Sequence, residues 1–151
     1  MLKELPDGSL LRIVSVARAN IFYAKNGKRY RLAETRQEFA DGRTRIRTLD
    51  TSVSEKLKVG EDPHVAIVRG IAEELNIKKL LDLESRGESS ATEESPSYPG
   101  LRSEKHMHDF SANIPESEFD YKGYVERQKD KTTTFEWILE DFELANAKKN
   151  I

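Results

Sequence analysis

The sequence contains no cysteine among its 151 residues. Disulfide bonds, cysteine-based zinc sites and catalysis by a thiol are therefore excluded. The sequence also lacks an apolar run of about 18 residues, the length that a membrane-spanning helix requires, and its first residues do not resemble a secretory signal. We therefore expect a cytoplasmic protein that does not contact a membrane.

An excess of charge of one sign is also missing. The 25 basic and 27 acidic residues nearly balance, whereas nucleic-acid-binding domains usually carry a strong basic excess. With 36% hydrophobic and 34% charged residues, the chain can build one modest core beneath a densely charged surface. We expect a single domain over residues 1–151.

The N-terminal third is rich in β-branched and aromatic residues, which favours strands. Asn26-Gly27 is typical of a two-residue hairpin turn, because both turn positions need positive φ angles. Such a turn sets Tyr23 opposite Tyr30. The predicted antiparallel meander comprises residues 10–24, 28–39 and 43–49.

Three arginines alternate on the third of these strands and should share one face: Arg43, Arg45 and Arg47. A turn at residues 41–42 sets Arg45 opposite Glu38 and Arg47 opposite Arg36. The like-charge pair favours a nearby anion, so the row is a candidate phosphate-binding site. The alternative is a solvent-exposed face paired with the neighbouring strand.

A helix is predicted over residues 63–75, with Asp62 as its cap and Pro63 in its first position. Asn76 tolerates the left-handed conformation that ends many helices. Residues 84–100 are dominated by Ser, Glu, Gly and Pro, which predicts a flexible loop. Further strands are predicted at residues 105–114, 123–128 and 132–138, and a second helix at 139–149. The order of elements indicates an α+β fold.

At 100° per residue, the helix has a predicted core face. It is formed by Val65, Val68, Ile71, Ala72 and Leu75. On the opposite side, Glu73 and Glu74 flank a patch floored by Gly70 and Ala66. Hard cations such as Mg²⁺ bind carboxylates that leave room for water, and Arg69 lies one turn before Glu73, where it can orient that acid. A solvated helix surface would show the same pair of acids.

Residues 55–77 resemble the Nudix box, G-x5-E-x7-R-E-U-x-E-E-x-G-U, where U is aliphatic. The matching positions are Glu61, Arg69, Ile71, Glu73, Glu74 and Ile77. Residues 135–144 also resemble the strand before the last helix of that family. The resemblance implies a Nudix fold, in which a mixed β-sheet is packed between helices.

Three positions depart from the pattern. Glu55 and Asn76 replace its two glycines, and Gly70 replaces a glutamate that acts as base or metal ligand in many members of the family. The resemblance implies that Glu73 and Glu74 are metal ligands, with Arg69 as their orienting partner and Glu61 as an additional ligand, direct or through water. The base would then come from elsewhere, and the candidates are Glu116, Glu118, Glu126 and Glu136.

Other polar and aromatic side chains have two interpretations each. Glu104, His106 and His108 could form a metal triad, although two alternating histidines more often lie on a surface. Tyr98 and Tyr121 could stack on a base or anchor a loop.

Two functions follow from the resemblance. The first is a hydrolase dependent on Mg²⁺ or Mn²⁺, acting on a nucleoside diphosphate linked to another group or on a related phosphoanhydride. The second is a catalytically weak module that binds a ligand or partner. The expected partner is a small-molecule phosphoanhydride or nucleotide; nucleic acid is not expected, and a homodimer is left open.

Overall fold

A computed structural model describes residues 1–79, 81–94, 98 and 100–140. Its strands are β1 (Leu2–Glu4), β2 (Leu10–Lys25), β3 (Lys28–Phe39), β4 (Thr44–Ile46), β5 (Val53–Lys56), β6 (Glu84–Glu94), β7 (Leu101–Asn113), β8 (Tyr124–Arg127) and β9 (Lys131–Leu139). The helix α1 spans Pro63–Leu75, and a short 3₁₀ turn spans Glu116–Glu118. No helix in the described part of the chain is long and apolar enough to cross a bilayer.

The strands form one mixed sheet, in which six of them follow the order β6-β7-β2-β3-β9-β8. Of the other three, β1 and β5 pair with β2, and β4 pairs with β3. β2 and β7 are parallel, and the other pairings are antiparallel. The predicted α+β class with a mixed sheet is confirmed. The predicted helix at 139–149 lies outside the described residues except for its first two, of which Leu139 ends β9 and Glu140 is not helical.

The core lies between α1 and one face of the sheet. Alternate residues of β2, among them Ala17 and Ile21, are fully buried beneath Ile67 and Ile71 of the helix. Phe135 of β9 completes this layer at 1% exposure. Because side chains alternate between the faces of a strand, this burial also decides which polar side chains of the sheet point towards α1.

The first hairpin is as predicted. Asn26 and Gly27 have φ angles of 53° and 74°, and Tyr23 lies opposite Tyr30. The helix bounds are also confirmed. Asp62 accepts hydrogen bonds from the backbone N–H groups of residues 64 and 65, and Asn76 ends the helix at φ 55°.

The register predicted for the second hairpin is wrong by one residue. Arg45 lies opposite Gln37, and Arg36 lies opposite Ile46. The amide of Phe39 donates to the carbonyl of Arg43, so the loop has three residues rather than two. A left-handed glycine at the third loop position, here Gly42 at φ 91°, is typical of such loops.

The loop predicted at 84–100 is wrong for its first part. Residues 84–94 form β6, which pairs along β7 at the edge of the sheet with every side chain exposed. An edge strand of this kind is stabilised by its backbone hydrogen bonds, so its composition gives no apolar signal for it.

The predicted core face of the helix is correct at Ile71 and Leu75, but the buried face as a whole is rotated from it. Val65 is 55% exposed, whereas Ala66, Ile67 and Gly70 are buried. Gly70 therefore does not floor an open patch. The actual buried face is centred near the direction in which Glu74 points.

Candidate functional site

Arg69 is the centre of an ion-pair network that joins α1 to the preceding segment. Its Nη1 atom lies 2.7 Å from Oε1 of Glu55 and 3.8 Å from Oε2 of Glu73. Its Nη2 atom donates to Oε1 of Glu61 at 2.9 Å, and Nε donates to Oε2 at 3.3 Å. The contacts with Glu61 and then those with Glu55 raise the pKa of Arg69, so it is a permanent cation.

Glu61 is fully engaged by this network. Besides its bonds to Arg69, its Oε1 atom accepts a hydrogen bond from the amide of Lys58 at 3.0 Å. The bond from Arg69 is the main reason that the pKa of Glu61 lies below its ordinary value. The carboxylate that the sequence suggested as a metal ligand thus positions Arg69 in this structure.

Glu74 projects from the buried face of α1 into the space between the helix and the sheet. Its Oε2 atom is buried and has no hydrogen-bond partner among the residues that the structure describes. Burial raises the pKa of Glu74 to about 8, and further carboxylates contribute in the order Glu126, Glu55, Glu34 and Glu73. Glu74 is therefore a carboxyl group that is protonated at neutral pH unless a cation compensates its charge.

Two strands, β3 and β8, each bring a carboxylate close to Glu74. Glu126 of β8 lies opposite Thr133, and Glu34 of β3 lies opposite Phe135, so both share the sheet face that α1 covers. Burial raises the pKa of Glu126 as well, although Lys131 opposes this.

Glu55 and Glu34 were missed as members of this site. Glu55 lies two residues after the fully buried Val53 on β5, so strict alternation points its side chain towards α1. That alternation was present in the sequence, but residues 50–61 were not predicted to form a strand.

The three arginines of the predicted phosphate row have different surroundings. Arg43 is bound to Asp41 at 2.7 Å in the turn, and its side chain is 73% exposed. Arg45 is exposed on β4. Arg47 alone reaches the carboxylates, with Nη2 at 3.2 Å from Oε2 of Glu34.

The histidines pair locally. His106 lies 2.9 Å from Glu104, and His108 lies 3.2 Å from Glu88. Within the described ranges, no group of three or more His, Asp or Glu side chains is placed to hold a metal ion. The structure therefore does not gather Glu61, Glu73 and Glu74 into one such group.

No family model and no curated protein sequence matches the chain. Among solved structures, it is similar to the Ap4A hydrolase of C. elegans at 20% identity and a TM-score of 0.48, covering 91% of this chain and 85% of that one. It is similar to the NUDIX domain of Shewanella oneidensis NrtR, solved with ADP ribose, at 10% identity and a TM-score of 0.47, covering 96% and 81%. It is also similar to RenU, a Nudix hydrolase from M. smegmatis, at 15% identity and a TM-score of 0.44, covering 97% and 83%.

Proposed function

We propose that the chain is a Nudix-type hydrolase, dependent on Mg²⁺ or Mn²⁺, that cleaves a phosphoanhydride in a nucleoside diphosphate linked to another group. The observation that carries the proposal is the buried, unpartnered Oε2 atom of Glu74 among further carboxylates. Such an arrangement is costly for a fold unless a proton or a cation compensates the charge. The similarity of residues 55–77 to the Nudix box supports the cation.

The residues present suit a hard divalent cation. Mg²⁺ binds through one or two protein carboxylates and keeps several waters, and Glu73 and Glu74 supply those carboxylates from adjacent positions of α1. Glu74 contributes an oxygen that has no partner in the described part of the chain, and the side chain of Glu73 is 57% exposed to solvent. We assign Glu61 a contact through water, because Arg69 and the amide of Lys58 occupy its oxygens.

A bound cation would neutralise phosphate oxygens and lower the pKa of water. Arg69, held by Glu55 and Glu61, fixes the position of Glu73. Glu126 is our candidate for the base, because it lies close enough to contribute to the raised pKa of Glu74. Of the other candidates, Glu116 accepts from the Tyr23 hydroxyl and Glu136 from Thr35.

Arg47 is the best placed of the three arginines to contact a phosphate, since it already binds Glu34 beside the site. Arg43 and Arg45 lie farther along the hairpin and would contact only an extended substrate. The cytoplasmic location expected from the sequence is part of this proposal.

The test measures metal binding and hydrolysis in parallel. Calorimetric titration with Mn²⁺ should show binding to the wild type that is lost in the Glu73→Gln/Glu74→Gln double variant. A panel of nucleoside diphosphate derivatives should be hydrolysed by the wild type with Mg²⁺ or Mn²⁺ and not by the variant. Glu93→Gln, on the exposed strand β6, is the matched control and should behave as wild type.

The alternative is a binding module without turnover. It is favoured by Gly70, because the helix carries no acid at that position. Glu55 fills the space beside Gly70. Metal binding without hydrolysis of any member of the panel would support this alternative and contradict the hydrolase.

A further inference from the structure

A pocket lies at the end of the first hairpin, apart from the carboxylates. It has a volume of about 450 Å³, within the range of small-molecule sites. Five aromatic side chains line it: Tyr23, Tyr30, Phe119, Tyr121 and Trp137. A concentration of aromatic rings around an open pocket is suited to a planar ligand that stacks on them.

Most of these rings are held rigidly. Tyr23 and Phe119 stack with centroids 3.6 Å apart and an angle of 8° between their planes. The Tyr23 hydroxyl donates to Glu116 at 2.6 Å, and Nε1 of Trp137 donates to the carbonyl of Asp120 at 2.8 Å. A ligand would meet a preformed surface, so its binding would not require these side chains to be ordered.

Tyr121 differs from the others because its side chain is free to adjust. The residue is 77% exposed, and Nζ of Lys122 lies 5.8 Å from the centroid of its ring. It can therefore stack on a ligand without giving up packing in the core.

Two lysines supply positive charge at the rim. Lys25 and Lys28 line the same pocket, and neither forms an ion pair with a described residue. Aromatic walls beside two lysines that have no ion-pair partner among the described residues fit a ring system that carries an anionic group. A nucleotide has this chemistry.

The pocket and the carboxylates share one face of the sheet. Tyr30 and Glu34 both lie on β3, and Leu32 between them is fully buried under α1. Four residues of a strand span about 13 Å. Because the helix covers Leu32, the pocket is a separate site from the carboxylates.

We propose that this pocket binds the base of a nucleoside phosphate, with Lys25 and Lys28 beside its phosphates. This binding does not rest on the proposed function, because it requires neither metal nor turnover.

Intrinsic fluorescence can test the pocket directly, because Trp137 is the one tryptophan of the chain. The wild type is titrated in EDTA with ADP, GDP, CDP and UDP, with the matching nucleosides and with ribose 5-phosphate. At least one diphosphate should change the Trp137 emission and bind more tightly than its nucleoside, and ribose 5-phosphate should not bind. Binding by none of the four diphosphates, or equal binding of diphosphate and nucleoside, would overturn the proposal.

Variants identify the residues. Tyr121→Ala and Lys28→Ala should each weaken binding of the selected diphosphate about tenfold. Tyr98→Ala, at a tyrosine that is 67% exposed, and Lys105→Ala, at an exposed lysine outside the pocket, should leave it unchanged. Unchanged binding in the Tyr121 and Lys28 variants would overturn the pocket even if the protein hydrolyses nucleotides. Binding without hydrolysis under Mn²⁺ would retain the pocket and reject the proposed function.

Discussion

Gly70 of the helix lies directly against Glu55 of the neighbouring strand. A Cβ atom at position 70 would lie 3.1 Å from both Cβ and Oε2 of Glu55, and 3.3 Å from Cγ1 of Val53. The departures at 70 and 55 from the Nudix pattern are thus coupled in space. Compared with that pattern, α1 lacks a carboxylate at the point where β5 carries Glu55.

This contact predicts that Gly70→Ala destabilises the fold. Alanine gains about 1 kcal/mol of helix propensity over glycine, but overpacking a filled site costs roughly 1–3 kcal/mol. Because Arg69 holds Glu55 at 2.7 Å, the neighbour has little freedom to move. Urea denaturation should show a net loss of about 1 kcal/mol. A variant as stable as the wild type would show that the Glu55 side chain moves to make room for the added Cβ atom.

Glu74 predicts a pH dependence for the metal-free protein. Its pKa is about 8 in the folded state against an ordinary value of 4.5, so the folded state holds the proton more tightly. By proton linkage, the contribution of Glu74 to the free energy of unfolding is greatest below about pH 4.5 and is lost as the pH rises to about 8. The melting temperature in EDTA should therefore fall between pH 6 and pH 8.

Glu74→Gln should flatten that fall, since glutamine does not titrate. Glu93→Gln, in the exposed strand β6, should keep the wild-type slope. An equal slope in wild type and Glu74→Gln would assign the dependence to other groups.

Arg69→Lys should destabilise the protein although it conserves charge. Lysine cannot reproduce the planar set of donors that reaches Glu55 and both oxygens of Glu61. Loss of charge-assisted hydrogen bonds predicts a cost of roughly 2 kcal/mol by urea denaturation. Arg43→Lys, at the exposed pair with Asp41, is the control and should change stability by less than about 0.5 kcal/mol. Equal effects would mean that the Arg69 network adds no stability.

Gly123→Ala tests a close approach of two backbone segments. Gly123 has a φ of 84°, and a Cβ atom there would lie 2.0 Å from the carbonyl oxygen of Phe135. Gly8 has the same φ with no atom within 4 Å. Gly8→Ala therefore measures the conformational cost alone, about 1 kcal/mol, and Gly123→Ala should exceed it by at least about 2 kcal/mol. Similar melting temperatures would contradict the close approach.

The sequence predicts best those elements whose signals are local. The cap at Asp62, the end at Asn76 and the turn at Asn26-Gly27 depend on the conformations of single residues, and all three are as expected. The rotation of α1 about its axis was not predictable in this way. Ala66 and Gly70 give little hydrophobic signal, yet close contact with the sheet selects them for the buried face.

The helical part of the candidate site was predicted best. Outside the helix the sequence indicated Glu61 and, among four candidate bases, Glu126, but neither Glu34 nor Glu55. Glu73, Glu74 and Arg69 follow from spacing within α1, but Glu34 and Glu126 join the site through the pairing of β3 and β8 with β9. Contacts between segments so distant in sequence are set by the topology of the sheet, and no short motif encodes them.

The parallel pairing of β2 with β7 also orders events during synthesis. Residues 10–22 pair in register with residues 101–113. A nascent chain that has reached residue 100 therefore carries most of a long strand with its hydrogen-bonding edge open, and such edges are liable to pair with other chains. Contacts across this sequence separation also form slowly. Complete pairing of β2 with β7 must therefore wait until residue 113 has left the exit tunnel of the ribosome.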